Sequence, residues 1–280
     1  MEKCCKTVES RDEKIRPAET FLPRLSGPGV NKLSATVWFI DDVLTGEECQ
    51  SLIDFSTPNL ARSTVLKDEE SQTSSIHDHR TSKNAWIKGT DLIDQKDSLA
   101  AKTLHKMEKI SNSITGLPIP NQEGLQLLKY LPGEEYKSHH DFFHETGTEY
   151  KQCMAQGGQR LWTIFFYLSD VEEGGETRWP RLDVEVKPKL GRVAIWKNLV
   201  DGEVFHPSLH WGKPVIKGVK WAATKWIRER RFATDGMTID TLLRLNQGEE
   251  LPAEDNSQPH IPARQEKKRL PPPEYTEFIV

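Results

Sequence analysis

Arg160-Leu-Trp-Thr163-Ile-Phe-Phe-Tyr167-Leu168 is the stretch on which the fold turns. It is crowded with aromatic and β-branched side chains and holds neither glycine nor proline, so it reads as a strand. A turn follows at Val171-Glu-Glu-Gly174-Gly175-Glu-Thr177. Val184-Glu-Val186 and Gly191-Arg-Val-Ala-Ile-Trp196 then read as two more strands, broken by Pro188 and Gly191. A final strand runs from Gly218 to about Arg228. Upstream, Leu125 to Tyr130 and Ala35-Thr-Val-Trp-Phe-Ile40 have the same character. Many short strands with turn signals at regular spacing predict a barrel or a double-sheet jelly roll.

Helices flank this β core on its N-terminal side. Thr45 and Glu48 have the spacing of a capping box, with Leu44 and Cys49 at the staple positions and Leu52 and Ile53 continuing an apolar stripe. From Asp97 to Ile114 the period is helical: Leu99, Thr103, Met107, Ile110 and Ile114 share a face, and Gly116 and Pro118 mark the stop. The expected class is therefore mainly β with flanking helices (α+β). Residues 63 to 83 and 144 to 159 read as polar loops, suited to be lids. His77 and His79 lie in the first and read as surface histidines. Three segments result: a charged, Pro/Gly-broken arm over 1–32, a folded domain over 33–235, and a tail over 236–280. That tail is a short helix from Met237 to Leu245, then a charged, proline-rich stretch.

The 280 residues are 36% hydrophobic, enough for one good core. With 38 basic and 42 acidic side chains the formal net charge is −4, which gives no reason to expect a nucleic-acid partner. No apolar run approaches the length of a membrane span, and the N-terminus lacks an apolar signal core. Cys4, Cys5, Cys49 and Cys153 have no framework spacing and read as reduced thiols. The expectation is a soluble, cytoplasmic protein.

Chemistry is concentrated in Tyr130-Leu-Pro-Gly133-Glu-Glu-Tyr136-Lys-Ser-His139-His140-Asp141-Phe142-Phe143. In a strand, His139 and Asp141 point to one face and His140 to the other. A second histidine would complete the two-His-one-carboxylate set of non-haem Fe(II) oxygenases. His144 is too near to come from another strand, and His260 lies in the tail. The spacing leaves His206 and His210 open, with some preference for His210 because it leads into the last strands. In that last strand Lys220, Ala222, Thr224 and Trp226 share a face. A lysine on such a wall is costly to bury unless it meets an anion, and a carboxylate cosubstrate would serve.

From about Val37 to Arg228 the chain resembles the prolyl 4-hydroxylase family of Fe(II)/2-oxoglutarate-dependent dioxygenases. The resemblance is carried by Tyr130-x-x-Gly133-x-x-Tyr136-x-x-His139-x-Asp141, Arg160-x-x-Thr163-x-x-x-Tyr167-Leu168, Gly174-Gly175-Glu176-Thr177 and Pro188-x-x-Gly191. His210 with Lys220-Trp221 ten residues later, the Glu48-Cys49 helix and Arg80-Thr81-Ser82 also fit. It implies a double-stranded β-helix (cupin-like) core. It further implies Fe(II) on His139, Asp141 and His210, and Lys220 paired with the distal carboxylate of 2-oxoglutarate. Tyr130 and Thr163 would hydrogen-bond that cosubstrate, and Trp226 would line its pocket. O2 is the second cosubstrate and ascorbate a supporting reductant. Decarboxylation of 2-oxoglutarate to succinate and CO2 would then be coupled to hydroxylation of an unactivated C–H bond.

The implied substrate is a proline in a peptide or protein. Arg80, Arg160 and Trp179 are candidate substrate contacts, with a surface ion pair as the other reading of Arg160. Trp179 stands where the family commonly has phenylalanine, and Trp211-Gly-Lys-Pro where a small residue and cysteine are frequent. Trp162 and Trp196 add further aromatic bulk. Such departures are packing variants or signs of another substrate, such as a free amino acid or natural product. The missing signal core points away from secreted collagen. A jelly-roll module without catalysis and an oxygen-responsive regulator are the competing classes; the complete ligand set with Lys220 argues against the module. Oligomeric state is not encoded in any motif.

Overall fold

A computed structural model of the chain describes residues 25, 29–63, 80–145 and 150–232. In chain order its strands are β1 (Val30–Lys32), β2 (Val37–Ile40), β3 (Ala61–Arg62), β4 (Lys83–Ile87), β5 (Leu125–Tyr130), β6 (Tyr136–His139), β7 (Arg160–Tyr167) and β8 (Glu173–Gly174). There follow β9 (Thr177–Trp179), β10 (Val184–Val186), β11 (Val193–Lys197), β12 (Leu199–Val200), β13 (Glu203–Val204), β14 (His210–Gly212), β15 (Val215–Lys217) and β16 (Lys220–Arg228). The α-helices are α1 (Gly46–Ser56), α2 (Gly89–Leu92), α3 (Leu99–Thr115) and α4 (Tyr150–Ala155).

An eight-stranded antiparallel sheet has the order β1-β2-β11-β7-β16-β5-β4-β3, and a four-stranded one the order β10-β9-β14-β6. The central strands of the large sheet are buried on both faces, which is why their sequences are near-continuously apolar. One face, with Trp38, Leu127, Ile164, Phe166, Ile195 and Ala223, packs on Leu52 of α1 and Leu104 and Met107 of α3. The other, with Leu128, Phe165, Tyr167, Ala194 and Ala222, meets Trp179 and Val186 of the small sheet. The site lies on this second face, between the sheets. The expected double-sheet β architecture with N-terminal helices is present.

α1 begins as its sequence predicts: Thr45 Oγ1 accepts from the Glu48 N–H at 3.2 Å, and Glu48 Oε2 accepts from the Thr45 N–H at 2.8 Å. Lys106 of α3 reaches across to Glu48 at 2.7 Å and ties the two helices together. Gly191 has φ 76, and a Cβ there would run into the Leu44 carbonyl oxygen. The Pro188-x-x-Gly191 turn thus lets the helix entry sit against the sheet.

Several boundaries differ from the sequence reading. β1 lies inside the stretch read as an arm. Helix α3 starts at Leu99 with Ser98 as its N-cap, and Leu99 itself is 43% exposed. The stripe that packs is Ala100, Leu104, Met107, Ser111 and Ile114, with Thr103 beside it, which leaves Leu99 on the flank of the first turn. Within 144–159, Tyr150–Ala155 is helical rather than loop. Lys, Gln, Met and Ala favour a helix, and Arg228 and Arg230 donate to its end carbonyls at Cys153 and Met154. His77, His79, the core of the 63–83 loop and the C-terminal tail lie outside the described residues. Cys49 and Cys153 form no disulfide among the described residues. Among the described residues no helix is long and apolar enough to cross a membrane.

Candidate metal centre

Strands β6 and β14 pair so that His139 lies directly opposite His210. Their rings sit 4.2 Å apart, centroid to centroid. Asp141 lies in the bend just past β6. Its Oδ1 is 3.7 Å from His139 Nε2 and its Oδ2 3.7 Å from His210 Nε2. One ligand atom from each of the three residues falls within 4.8 Å of the others, and no other such group occurs among the described residues.

Both histidines are tautomerically committed. His139 Nδ1 is 2.8 Å from the Lys137 carbonyl and His210 Nδ1 3.0 Å from that of Ser208. A carbonyl can only accept, so each Nδ1 carries a proton and each Nε2 is turned to the carboxylate. Burial, reinforced by the field of His210, holds the His139 imidazole well below its ordinary range and so neutral. Burial alone would raise the Asp141 carboxyl. His210, His139, Arg160 and Thr163 outweigh it and keep the group ionised. Two imidazoles that turn Nε2 toward one carboxylate are the donor set that suits Fe(II).

His206 is not part of this group. It lies in the 3-10 turn His206–Ser208, exposed, and its carbonyl accepts from His140 Nε2 at 3.0 Å. His140 points away from the ligand group, as strand parity predicts, and packs on Phe142 and His144.

A pocket opens at the three ligands. Its wall carries Tyr130, Phe165, Trp196, Thr224 and Trp226, with Lys220 in register with Tyr130. Lys220 is 2% exposed. Its ammonium nitrogen is 5.2, 5.4 and 5.6 Å from the rings of Tyr130, Phe165 and Tyr167, and no described residue gives it an ion pair or hydrogen bond. Burial pushes its pKa down to about 7, opposed only by the field of Glu176. A buried cation without an anion, aimed into a cavity beside three metal-type donors, fits a dicarboxylate with one end at the metal. The residues present therefore fit both Fe(II) and 2-oxoglutarate.

The remaining sequence candidates divide. Trp226 lines the pocket, as does Arg80, which donates to Ser82 at 3.2 Å and Gln126 at 3.1 Å and lies 4.6 Å over the Tyr136 ring. Thr163 does not line it: the hydroxyl expected on the cosubstrate donates to Asp141 Oδ2 at 2.7 Å. The register sets Thr163 opposite Trp226 on the same face of the sheet, and there its hydroxyl is taken up by the Asp141 carboxylate. Arg160 is in no surface pair. It makes a half-buried two-point bond to Glu123, at 2.7 and 2.9 Å, and stacks 3.7 Å over Trp226. Trp179 is fully buried against Trp196 and away from the pocket wall, which identifies it as a packing residue. Thr224 lines the pocket on the strand face expected of it, and Tyr136, Gln126 and Trp196 are further pocket residues to which the sequence assigned no role. Tyr136 stacks on His139 at 3.5 Å, and Trp196 lies 4.7 Å from His210. Parity along β5, which sets Gln126 on the face of Tyr130, was the available signal for Gln126.

An antiparallel double sheet with two histidines, an aspartate and a buried lysine around one pocket defines an iron- and 2-oxoglutarate-dependent oxygenase. Residues 125–228 match the family described as the 2OG-Fe(II) oxygenase superfamily. The chain is 37% identical over 209 residues to probable prolyl 4-hydroxylase 10 of Arabidopsis thaliana, covering 68% of this chain and 67% of that one. It is 32% identical over 245 residues to prolyl 4-hydroxylase 5 of the same plant, covering 78% of each. Among solved structures it is similar to the viral collagen prolyl hydroxylase of Paramecium bursaria Chlorella virus-1 in its 2OG complex. That likeness has a TM-score of 0.51 at 25% identity and covers 70% of this chain and 97% of that one. The chain belongs to the prolyl 4-hydroxylase family of Fe(II)/2-oxoglutarate-dependent dioxygenases.

Proposed function

We propose that this dioxygenase hydroxylates a proline at C4 in a peptide or protein substrate, with conversion of 2-oxoglutarate to succinate. The observation that carries the reading is the convergence of His139, Asp141 and His210 beside the unpaired, buried Lys220. The named relatives and the viral collagen prolyl hydroxylase support proline as the target.

His139, Asp141 and His210 hold Fe(II), which when bound supplies the oxidative decarboxylation and the C–H oxidation. Lys220 binds the distal carboxylate, and Tyr130 supports it from the paired strand. The aromatic walls of Phe165, Tyr167 and Trp196 exclude water around that pair and strengthen it. Trp226 presents an apolar ring at the pocket wall, and the Arg160 guanidinium stacked on it fixes the ring's orientation. Arg80, held by Ser82 and Gln126, is a candidate peptide contact at the same wall.

The test is mass spectrometry of proline-containing peptides incubated with Fe(II), 2-oxoglutarate, ascorbate and the chain. One added oxygen on proline, with stoichiometric succinate, is expected. Succinate formation with free amino acids alone as acceptors would overturn the peptide reading.

A further inference from the structure

Thr163 is fully buried, and its hydroxyl serves the carboxylate rather than the pocket. An ionised carboxylate has no proton to give, so Thr163 is the donor in its 2.7 Å contact with Asp141 Oδ2. With its one proton committed, Thr163 Oγ1 must accept in the 2.9 Å contact with Asn198 Nδ2. The polarity of the chain is thereby set: Asn198 N–H to Thr163 O–H to Asp141 Oδ2. Flipping the Asn198 amide would set two acceptors against each other, so the assignment is chemical as well as geometric.

Asn198 is itself pinned. Its N–H donates to the Leu161 carbonyl at 2.9 Å and its carbonyl accepts from the Phe205 N–H at 2.8 Å. It thus ties β7 to the segment that leads to His210. Its side-chain Oδ1 is buried with no hydrogen-bond partner among the described residues. A buried amide with an idle carbonyl is retained for its N–H.

We infer that Asn198 and Thr163 are positioning residues for Asp141: their relay occupies Oδ2 and leaves Oδ1, the oxygen facing His139, to the metal. This rests on the iron site proposed above. Without the relay the carboxylate is free to rotate, or to engage the metal through both oxygens and take a position the cosubstrate needs. Groups that hydrogen-bond a metal ligand typically change metal affinity about 10- to 100-fold when removed.

The test is Co(II) titration of the metal-depleted full chain, followed by the visible spectrum of the bound ion. Thr163→Val keeps the side-chain shape and lacks the donor; it should weaken binding about 10-fold or more and shift the spectrum. Thr163→Ser should restore both, and Asn198→Ala should weaken binding to a lesser degree. Should Thr163→Val fail to fold by circular dichroism, Asn198→Ala against the parent decides in the same way. Equal affinity and an unchanged spectrum in the folded variants would overturn the relay while leaving the iron site in place. A parent chain that binds Co(II) no better than His210→Ala would overturn the iron site and the relay with it.

Discussion

A lysine buried among three aromatic rings with no carboxylate in reach is an incomplete ion pair. Burial brings its pKa to about 7, so the unliganded protein loses that charge above neutrality. A dicarboxylate binds the protonated form. Affinity for 2-oxoglutarate should therefore be flat below about pH 7 and fall up to about tenfold per unit above it, with close to one proton taken up. Calorimetry in two buffers of different ionisation heat at pH 6 and pH 8.5 measures this directly; equal, near-zero proton uptake at both would remove Lys220 from the cosubstrate site. Without ligand, the unfolded chain keeps that proton to about pH 10.4. Stability of the free protein consequently rises with pH between roughly 7 and 10 through this group. Lys220 was legible from sequence because a cation on an inward strand face calls for an anion. Thr163 was not: which partner a buried hydroxyl chooses depends on Asp141 and Asn198, 22 and 35 residues away.

At the level of elements, α3 is anchored by one stripe and not by the apolar residues around it. Leu104→Ala should cost about 2–5 kcal/mol in urea unfolding, whereas Leu99→Ala should change stability by about 0.5 kcal/mol or less. Equal losses would mean that the helix packs through a different face. Strands β5, β7, β11 and β16 could be read from their residues because both faces are buried and their composition shows it. The six-residue α4 could not, since a single turn and a half has too little periodicity and is held by arginines from the far end of the chain. The choice between His206 and His210 stayed open in the sequence for a similar reason. The β6–β14 pairing brings His210 and not His206 beside His139, a contact across 71 residues that no local pattern encodes.

Across the whole molecule, Glu123 joins the entry to β5, the start of β7 and the end of β16 through Arg160 and Arg228, the latter at 2.8 Å. Burial would raise its carboxyl, and the two guanidinium groups more than offset that and lower it. Glu123→Ala should cost about 3–5 kcal/mol by leaving buried cations unmatched. In the parent this contribution is complete above about pH 4.3 and is lost as acid titrates below it. A variant unfolding at the parent's urea concentration and pH would contradict that. Ligands that bind only the folded chain add to its stability, by about 2.7 kcal/mol at a hundredfold excess over Kd. The melting temperature should thus rise with Mn(II) and 2-oxoglutarate together. The most direct measurement is an anaerobic titration of the Fe(II)-loaded chain with 2-oxoglutarate, following the visible absorption that arises when a 2-keto acid chelates Fe(II). The parent and His206→Ala should both develop it, Lys220→Ala only at about a hundredfold more 2-oxoglutarate, and His210→Ala not at all. Full absorption in His210→Ala, or its loss in His206→Ala, would contradict the iron site described.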